Sequence, residues 1–497
     1  MTTSTVTSPA ERARVPSGLS PEDRLTRLLV RHSPRRTPPP TPVVSVLIHG
    51  AVLVLWGLLF AGAFNFRGLF AWSAGLAYIA YDTVLLIFTF VQTLPLLDAA
   101  RVRPPAAAAG ASPVTVGVIV AAKNEALVLP VTLAALLGQT DRPDRILIAD
   151  DGSTDTTPDV LRERYGLAAP DLGEMETGHS LIHWLRLAGG GKARAMNVAI
   201  RRIDTDVVLT VDADTLLEPG AIAAVRAAFA AEPALVATTG VLTPVCAPTL
   251  QGRMFQWFQT YEYIRNFLSR YAWMRLDGLL LISGAFAGFR RAAVLEVGGF
   301  DPDCLVEDYE LIHRLKRFSA RERRGWTTRV LGGALARTEA PSSVPAFLRQ
   351  RRRWFGGFLQ TQYWYRDMVG NRRYGALGLA MLPVKAIDTL QPIYGLTAFV
   401  LLCAYAVQGR LAMLTAVGAV IGGKIVLDLA FHLWSVHVYR RWVGERTDAS
   451  APLALAAAIV EPFTFQLLRH VGATWGWLTF LAGRQTWGSQ KRVGALG

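Results

Sequence analysis

The chain has 497 residues, 51% of them hydrophobic, with 13 tryptophans and a formal net charge of +14. A mean hydropathy of +0.28 argues against a purely soluble protein and for membrane segments around one soluble domain. Cys246, Cys304 and Cys403 lie far apart with no CxxC pair, so neither a disulfide framework nor a cysteine metal cluster is indicated, and the basic excess reads most simply as cytoplasmic loops rather than as a site for nucleic acid or anionic lipid.

Residues 1–42 are rich in Pro, Ser, Thr and Arg, ending in Ser33-Pro34-Arg35-Arg36-Thr37-Pro38-Pro39-Pro40, and predict a disordered basic arm. The apolar runs that follow, Val43 to Asn65 and Gly68 to Leu97, are of spanning length and predict a transmembrane hairpin over 43–97 with both flanks cytoplasmic. A Pro- and Ala-rich linker occupies 98–112.

The texture then changes. Val114 to Val120, Arg145 to Ala149 and Val207 to Val211 are short apolar runs, each ending in polar residues and alternating with helical stretches such as 127–137 and 221–231. That alternation predicts an α/β domain over 113–343 with a mainly parallel sheet, whose ligands would sit at the carboxyl ends of the strands. Asp150-Asp151 and Asp212-Ala213-Asp214 fall at that edge. Carboxylates there suit a nucleotide-sugar, since a divalent cation held by one or two acids neutralises a diphosphate leaving group. Asp150-Asp151 also reads as a plain turn ahead of helix-start residues.

Gly189-Gly190-Gly191-Lys192 opens a helix without the spacing of a phosphate-cradling P-loop, although Lys192 and the helix start suit a diphosphate. Glu307 and Asp308 stand where acids favour a helix N-terminus, and one of them is also placed to be a general base toward a sugar hydroxyl. The aromatic stretch Met254 to Met274 reads mainly as core or membrane contact, with a minority of rings available to an acceptor path. Phe347, Gln350, Arg351, Trp354, Phe358 and Tyr365 fall near one helical face, predicting interfacial amphipathic helices over 344–389. Apolar runs then resume, predicting three or four transmembrane helices over 390–483, four preferred, with a break before Gln391 and a basic tail over 484–497.

Taken in order, Ala122-Lys123-Asn124-Glu125, Asp150-Asp151-Gly152-Ser153, Gly191-Lys192 through Asn197, Asp212-x-Asp214, Glu307-Asp308 and Gln350-x-x-Arg353-Trp354 resemble processive family 2 glycosyltransferases, the cellulose, hyaluronan and chitin-oligosaccharide synthase superfamily. The resemblance covers roughly residues 114–357. It implies a GT-A-like cytoplasmic catalytic domain inserted between transmembrane helices of a multi-pass plasma-membrane protein. It also implies inverting transfer from a nucleotide-sugar, such as a UDP-sugar, to a growing β-linked polysaccharide, with Mg2+ or Mn2+ and coupling to export.

Carried over by position, Asp308 with Glu307 becomes the catalytic pair, and Asp214 with Asp212 the metal side. Asn124, Glu125, Asp150, Asp151, Lys192, Asp212, Gln350 and Arg353 become donor contacts, and Trp354 the acceptor platform. Two departures stand out: Val306 replaces the threonine usual before the two acids, and 284–291 lacks the cysteine of cellulose synthases. Sugar, linkage, export partner and oligomeric state are left open. The alternatives are single-sugar transfer to a lipid-linked acceptor, and a non-catalytic transporter or receptor with a nucleotide-binding domain.

Overall fold

A computed structural model describes residues 20–64, 69–98, 114–409, 411–444 and 449–483. The first 19 residues of the basic arm, nearly all of the linker and the basic tail lie outside these. The described part of the arm corrects the expectation of disorder, because helix α1 (Pro21–His32) forms there. Ser20 Oγ accepts a hydrogen bond from Asp23 N at 3.1 Å, Pro21 opens the first turn, and Glu22 and Asp23 sit at the positive end of the dipole. Leu25 and Leu29, one turn apart, are buried.

Two apolar helices follow, α2 (Val43–Phe64) and α3 (Leu69–Thr93). Within them and the turn after α3, Val43–Gly62 and Ile79–Leu97 are long and apolar enough to cross a membrane.

The α/β unit runs β1 (Val116–Ala122), α4 (Leu129–Leu137), β2 (Arg145–Asp150), α5 (Thr157–Tyr165), β3 (Met175–Glu176), β4 (Ile182–Arg186), α6 (Lys192–Arg202), β5 (Val207–Asp212), β6 (Thr215–Leu217) and α7 (Ala221–Ala231). It continues with β7 (Leu235–Val245), α8 (Leu250–Met274), β8 (Phe286–Arg290), α9 (Arg291–Glu296), α10 (Glu307–Glu322) and β9 (Thr327–Glu339). All nine strands form one sheet in the order β3-β4-β2-β1-β5-β8-β7-β9-β6. Strands β4, β2, β1 and β5 are parallel neighbours, as are β7 and β9, whereas β3/β4, β5/β8, β7/β8 and β6/β9 are antiparallel. The sheet is therefore mixed rather than mainly parallel. The βα alternation reports crossovers, but beyond β5 two of the four new pairings, β5/β8 and β9/β6, join antiparallel strands far apart in sequence, and sequence pattern carries no direction for them. In the parallel half, Ala122 pairs with Asp150 and Ala121 with Asp212, so the carboxyl ends of β1, β2 and β5 lie level.

After the sheet come α11 (Val344–Trp364), a π-turn at Leu377–Met381, α12 (Leu382–Val407), α13 (Leu411–Val443), α14 (Ala451–Val460) and α15 (Phe465–Leu481). The expected break before Gln391 is absent. Helix α12 runs on through Pro392, and its charges are satisfied locally: Lys385 lies 3.6 Å from Asp388, which accepts from Tyr81 Oη at 2.6 Å. Among the described residues the only further span candidate is the α14/α15 pair, bent by 49°, fewer than the three or four expected. Polar pairs such as Lys385–Asp388 and Lys424–Asp428 interrupt the apolar runs of the two long helices.

The candidate active site

At the level strand ends, the loop after β1 is stitched to the loop after β2. Asn124, at φ 58°, accepts through Oδ1 from Thr154 N at 2.8 Å, and its own N–H donates to Ser153 Oγ at 3.0 Å. Glu125 is buried beside it, with its N–H on Thr157 Oγ1. Asp151 accepts from Gly191 N at 3.0 Å and lies 3.6 Å from Lys123 Nζ, tying the strand end to the glycine loop. Asp150 is turned away. Its Oδ1 accepts from Ser153 N at 2.8 Å, it is buried, and it does not line the cavity described below, which matches the turn-forming reading.

Lys192, the first residue of α6, reaches Asp212 Oδ1 at 2.5 Å, with Glu307 Oε1 at 3.9 Å. Burial pulls its ammonium down, but Asp212 and Glu307 more than offset this, and its pKa lies above the ordinary lysine value. Burial pushes the Glu307 carboxyl above the ordinary range, with Lys192 opposing. Asp308 is held differently. Its Oδ2 accepts from Gly284 N at 2.6 Å and its Oδ1 from Tyr309 N at 2.8 Å. A Cβ on Gly284 would stand 2.9 Å from Asp308 Oδ2, so the close approach that orients this carboxylate needs glycine. The two neighbouring acids thus divide: Glu307 is engaged by a lysine, while Asp308 is oriented by backbone.

Both acids line a cavity of about 1370 Å³ that also touches Asn124, Glu125, Asp151, Lys192, Asp212, Asp214, Gln350, Arg353 and Trp354. Apart from Asp150, every site residue expected from the sequence meets there. The cavity continues between α8 and α11 to Lys385, Asp388, Thr389 and Gln391 of α12.

Helix α11 turns part of its amphipathic stripe to protein. Phe347, Gln350 and Arg351 are buried, and the helix packs against α15, with Gly356 beside Gly476. The face built for lipid in the sequence reading is used for protein. Its arginines separate accordingly. Arg351 Nη2 donates to buried Glu262 at 2.5 Å and its guanidinium lies 4.6 Å from the Trp354 ring, whereas Arg352 stacks on Trp475. Arg353 lines the cavity, where Glu307 senses its charge.

Sequence reasoning missed Arg270. On α8, Glu262, Tyr263, Asn266, Phe267 and Arg270 recur at helical spacing and all line the cavity. The Arg270 Nε and Nη1 atoms are buried and have no hydrogen-bond acceptor among the described residues, and its guanidinium lies 4.4 Å from the Phe267 ring. Burial pulls its pKa down to about 10, against the opposing charges of Tyr263 and Asp308. The signal was the 263/267/270 spacing inside the aromatic stretch, which a core reading accounts for equally well.

Among the described residues no three His, Cys, Asp or Glu side chains form a metal cage. Magnesium-like ions are commonly bound by one or two carboxylates together with substrate phosphates, and Asp212 and Asp214, two residues apart on one cavity wall, fit that mode.

Residues 207–421 match the family model described as Glycosyl transferase family group 2. Poly-β-1,6-N-acetyl-D-glucosamine synthase of Staphylococcus aureus is 27% identical over 243 residues, 48% of this chain and 53% of the relative. The synthase of the same name from Staphylococcus epidermidis is 25% identical over 277 residues, 56% of this chain and 62% of the relative. The chain thus spans a little over half the length of the curated relatives it matches. Among solved structures, a mannosyltransferase of Pyrobaculum calidifontis in complex with GDP-Man and Mn2+ aligns with a TM-score of 0.47 at 22% identity, covering 78% of this chain and 99% of its own.

Proposed function

Because residues 207–421 match the family model described as Glycosyl transferase family group 2, we propose that the chain is a membrane-embedded, inverting glycosyltransferase that extends a β-linked polysaccharide from a nucleotide-sugar. The observation that carries this reading is the backbone-held Asp308 carboxylate in one cavity with the strand-end acids and Trp354. In this mechanism Asp308 takes the proton from an acceptor hydroxyl as the oxygen attacks the anomeric carbon. The bond from that carbon to the donor diphosphate breaks, and the nucleoside diphosphate leaves with the electron pair.

Lys192 and Arg353 provide positive charge on the donor side, with Asn124, Glu125, Asp151 and Gln350 around it, and the ring of Trp354 offers a stacking face to the acceptor sugar. Asp212 and Asp214 would hold Mg2+ or Mn2+, which when bound neutralises charge on the departing diphosphate. The name of the staphylococcal relatives supports a polymeric product. The cavity's continuation to α12, together with the apolar α2 and α3, supports a multi-pass membrane protein whose catalytic unit faces the cytoplasm and passes glycan outward, alone or with an export partner.

The test is to incubate membranes bearing the full chain with a panel of labelled UDP- and GDP-sugars and to size the products. A ladder or long polymer from one donor is expected. Labelled product carrying a single sugar on lipid would sink the polymerase reading, and no transfer from any donor would sink the enzyme.

A further inference from the structure

The segment before the first apolar helix, residues 20–42, lies against the loop that carries the two acids Glu307 and Asp308. Gly298, at φ +93°, sits so close to α1 that a Cβ there would overlap the Leu29 backbone nitrogen. Three residues on, the Arg35 guanidinium grips Asp301 with two donors, Nε to Oδ2 at 3.0 Å and Nη2 to Oδ1 at 2.7 Å, and reaches Asp303 Oδ2 at 2.9 Å. Arg36 adds a second contact to Asp303 at 2.6 Å. Asp301 is fully buried, and a bidentate arginine–carboxylate pair of this kind is both stronger and more directional than an exposed one. The same segment touches α10 itself, where Arg317 Nη1 donates to His32 O at 3.3 Å and the His32 ring meets Phe318 edge-on at 4.9 Å.

The loop is held from its other side by α11. Gln360 Oε1 accepts from Leu305 N at 3.2 Å, and Val306 packs on Gly357. Arg35 also lies 5.4 Å from the ring of Trp364, the last residue of α11. One guanidinium therefore contacts the acid-bearing loop and the end of the helix that carries Gln350, Arg353 and Trp354. Beyond it, Thr41 Oγ1 accepts from Arg366 Nε at 2.8 Å and Ser45 Oγ donates to Arg366 O at 2.6 Å, so the segment is anchored again where α2 begins.

We propose that residues 20–42 are a strap that sets the position of the Asp308 base relative to the acceptor platform, with Arg35 as its positioning residue. This rests on the glycosyltransferase reading for its kinetic consequence, though not for the clamp itself. Arg35 touches neither donor nor acceptor in this arrangement; it acts through Asp301 and the seven-residue path to Asp308. Loosening that path leaves donor binding in place and removes the alignment of the base, for which small displacements are costly.

The experiment uses the full chain in lipid nanodiscs, as wild type, Arg35→Ala, Arg35→Lys and Asp303→Asn. Amide hydrogen exchange is followed at 301–308 and at β1, and transfer kinetics are followed with the donor that supports the wild type. For Arg35→Ala, exchange at 301–308 rises while β1 is unchanged, and kcat falls about tenfold to hundredfold while donor KM stays within about twofold. Arg35→Lys, which keeps the charge but loses the fork, falls between, and Asp303→Asn, which removes only the half-exposed partner, shifts exchange in the same direction.

Unchanged exchange at 301–308 overturns the strap, and raised exchange with unchanged kcat overturns its positioning role. Should Arg35→Ala fail to fold, unchanged exchange in Asp303→Asn overturns the proposal equally. If the wild type transfers sugar from no donor, the glycosyltransferase reading falls, and the exchange measurement still decides the clamp.

Discussion

The two ends of the cavity are built in opposite ways. The donor end is made of strand termini and the short loops that leave them, and its acids are fixed by backbone: Asp151 by Gly191 N, Asp308 by Gly284 N and Tyr309 N. The acceptor end is made of helix faces, where Arg351 is fixed by Glu262 and by two aromatic rings and Arg270 lies over Phe267 with buried N–H groups unmet. Asp151 and Asp308 are oriented by backbone N–H groups that come from elsewhere in the chain, Gly191 and Gly284, whereas the guanidinium groups on helix faces meet side chains. The donor end is accordingly preorganised by backbone, and the acceptor end by side-chain packing among α8, α11 and α15.

Asp308 is the base of the proposed transfer, and its replacement is expected to have the largest effect. Asp308→Asn should lower transfer by about 10²- to 10⁴-fold, the usual worth of a positioned base, while binding of labelled nucleotide-sugar persists; a near-normal rate would remove the base assignment. Next in size, excess chelator or Asp214→Asn should depress turnover by about a hundredfold or more, reflecting the several kcal/mol a bound cation supplies at the leaving group. Full activity in chelator would separate Asp214 from any metal role. Arg270→Ala should then act on the acceptor end alone, raising acceptor KM or lowering the rate by up to about a hundredfold, the scale of a hydrogen bond to a charged group, with donor KM unmoved. A donor-side effect would erase the division between the ends.

The smallest expected effect is on stability. At the cavity wall, burial pulls the His313 pKa from 6.5 down to about 4, with its Nδ1 on Tyr309 O opposing. Because the folded state resists the proton that the unfolded state accepts, stability is lost as pH falls below 6.5 and the loss is complete near 4. Between pH 7 and 5 this amounts to about 2 kcal/mol, to be read by denaturant titration of the wild type against His313→Gln. A variant with the same acid sensitivity would assign it elsewhere.

Much of this site was legible before any coordinates. Asp212 and Asp214 follow a largely apolar run, so strand, strand end and acid come from one stretch of chain, and the same holds for Asp151 after β2. Asp150 reads two ways because a turn acid and a ligand acid look alike in sequence; only the tertiary structure shows its hydrogen bond to Ser153 N and its place outside the cavity lining. The α11 stripe is ambiguous for a related reason. An amphipathic face reports that something apolar will cover it, and lipid and protein satisfy that equally.

The order of the motifs, the strand–acid junctions and the two apolar helices were thus determined by the sequence itself, since each depends on residues within a few positions of one another. The antiparallel half of the sheet, the placement of Arg270 and the strap from Arg35 to Asp301 were decided only in the tertiary structure. Residues 35 and 301 are 266 positions apart, and no local pattern in a Pro- and Arg-rich arm distinguishes an arginine left in solvent from one that finds a buried carboxylate. What orders that arm is the aspartate it meets, and that meeting exists only once the chain has folded.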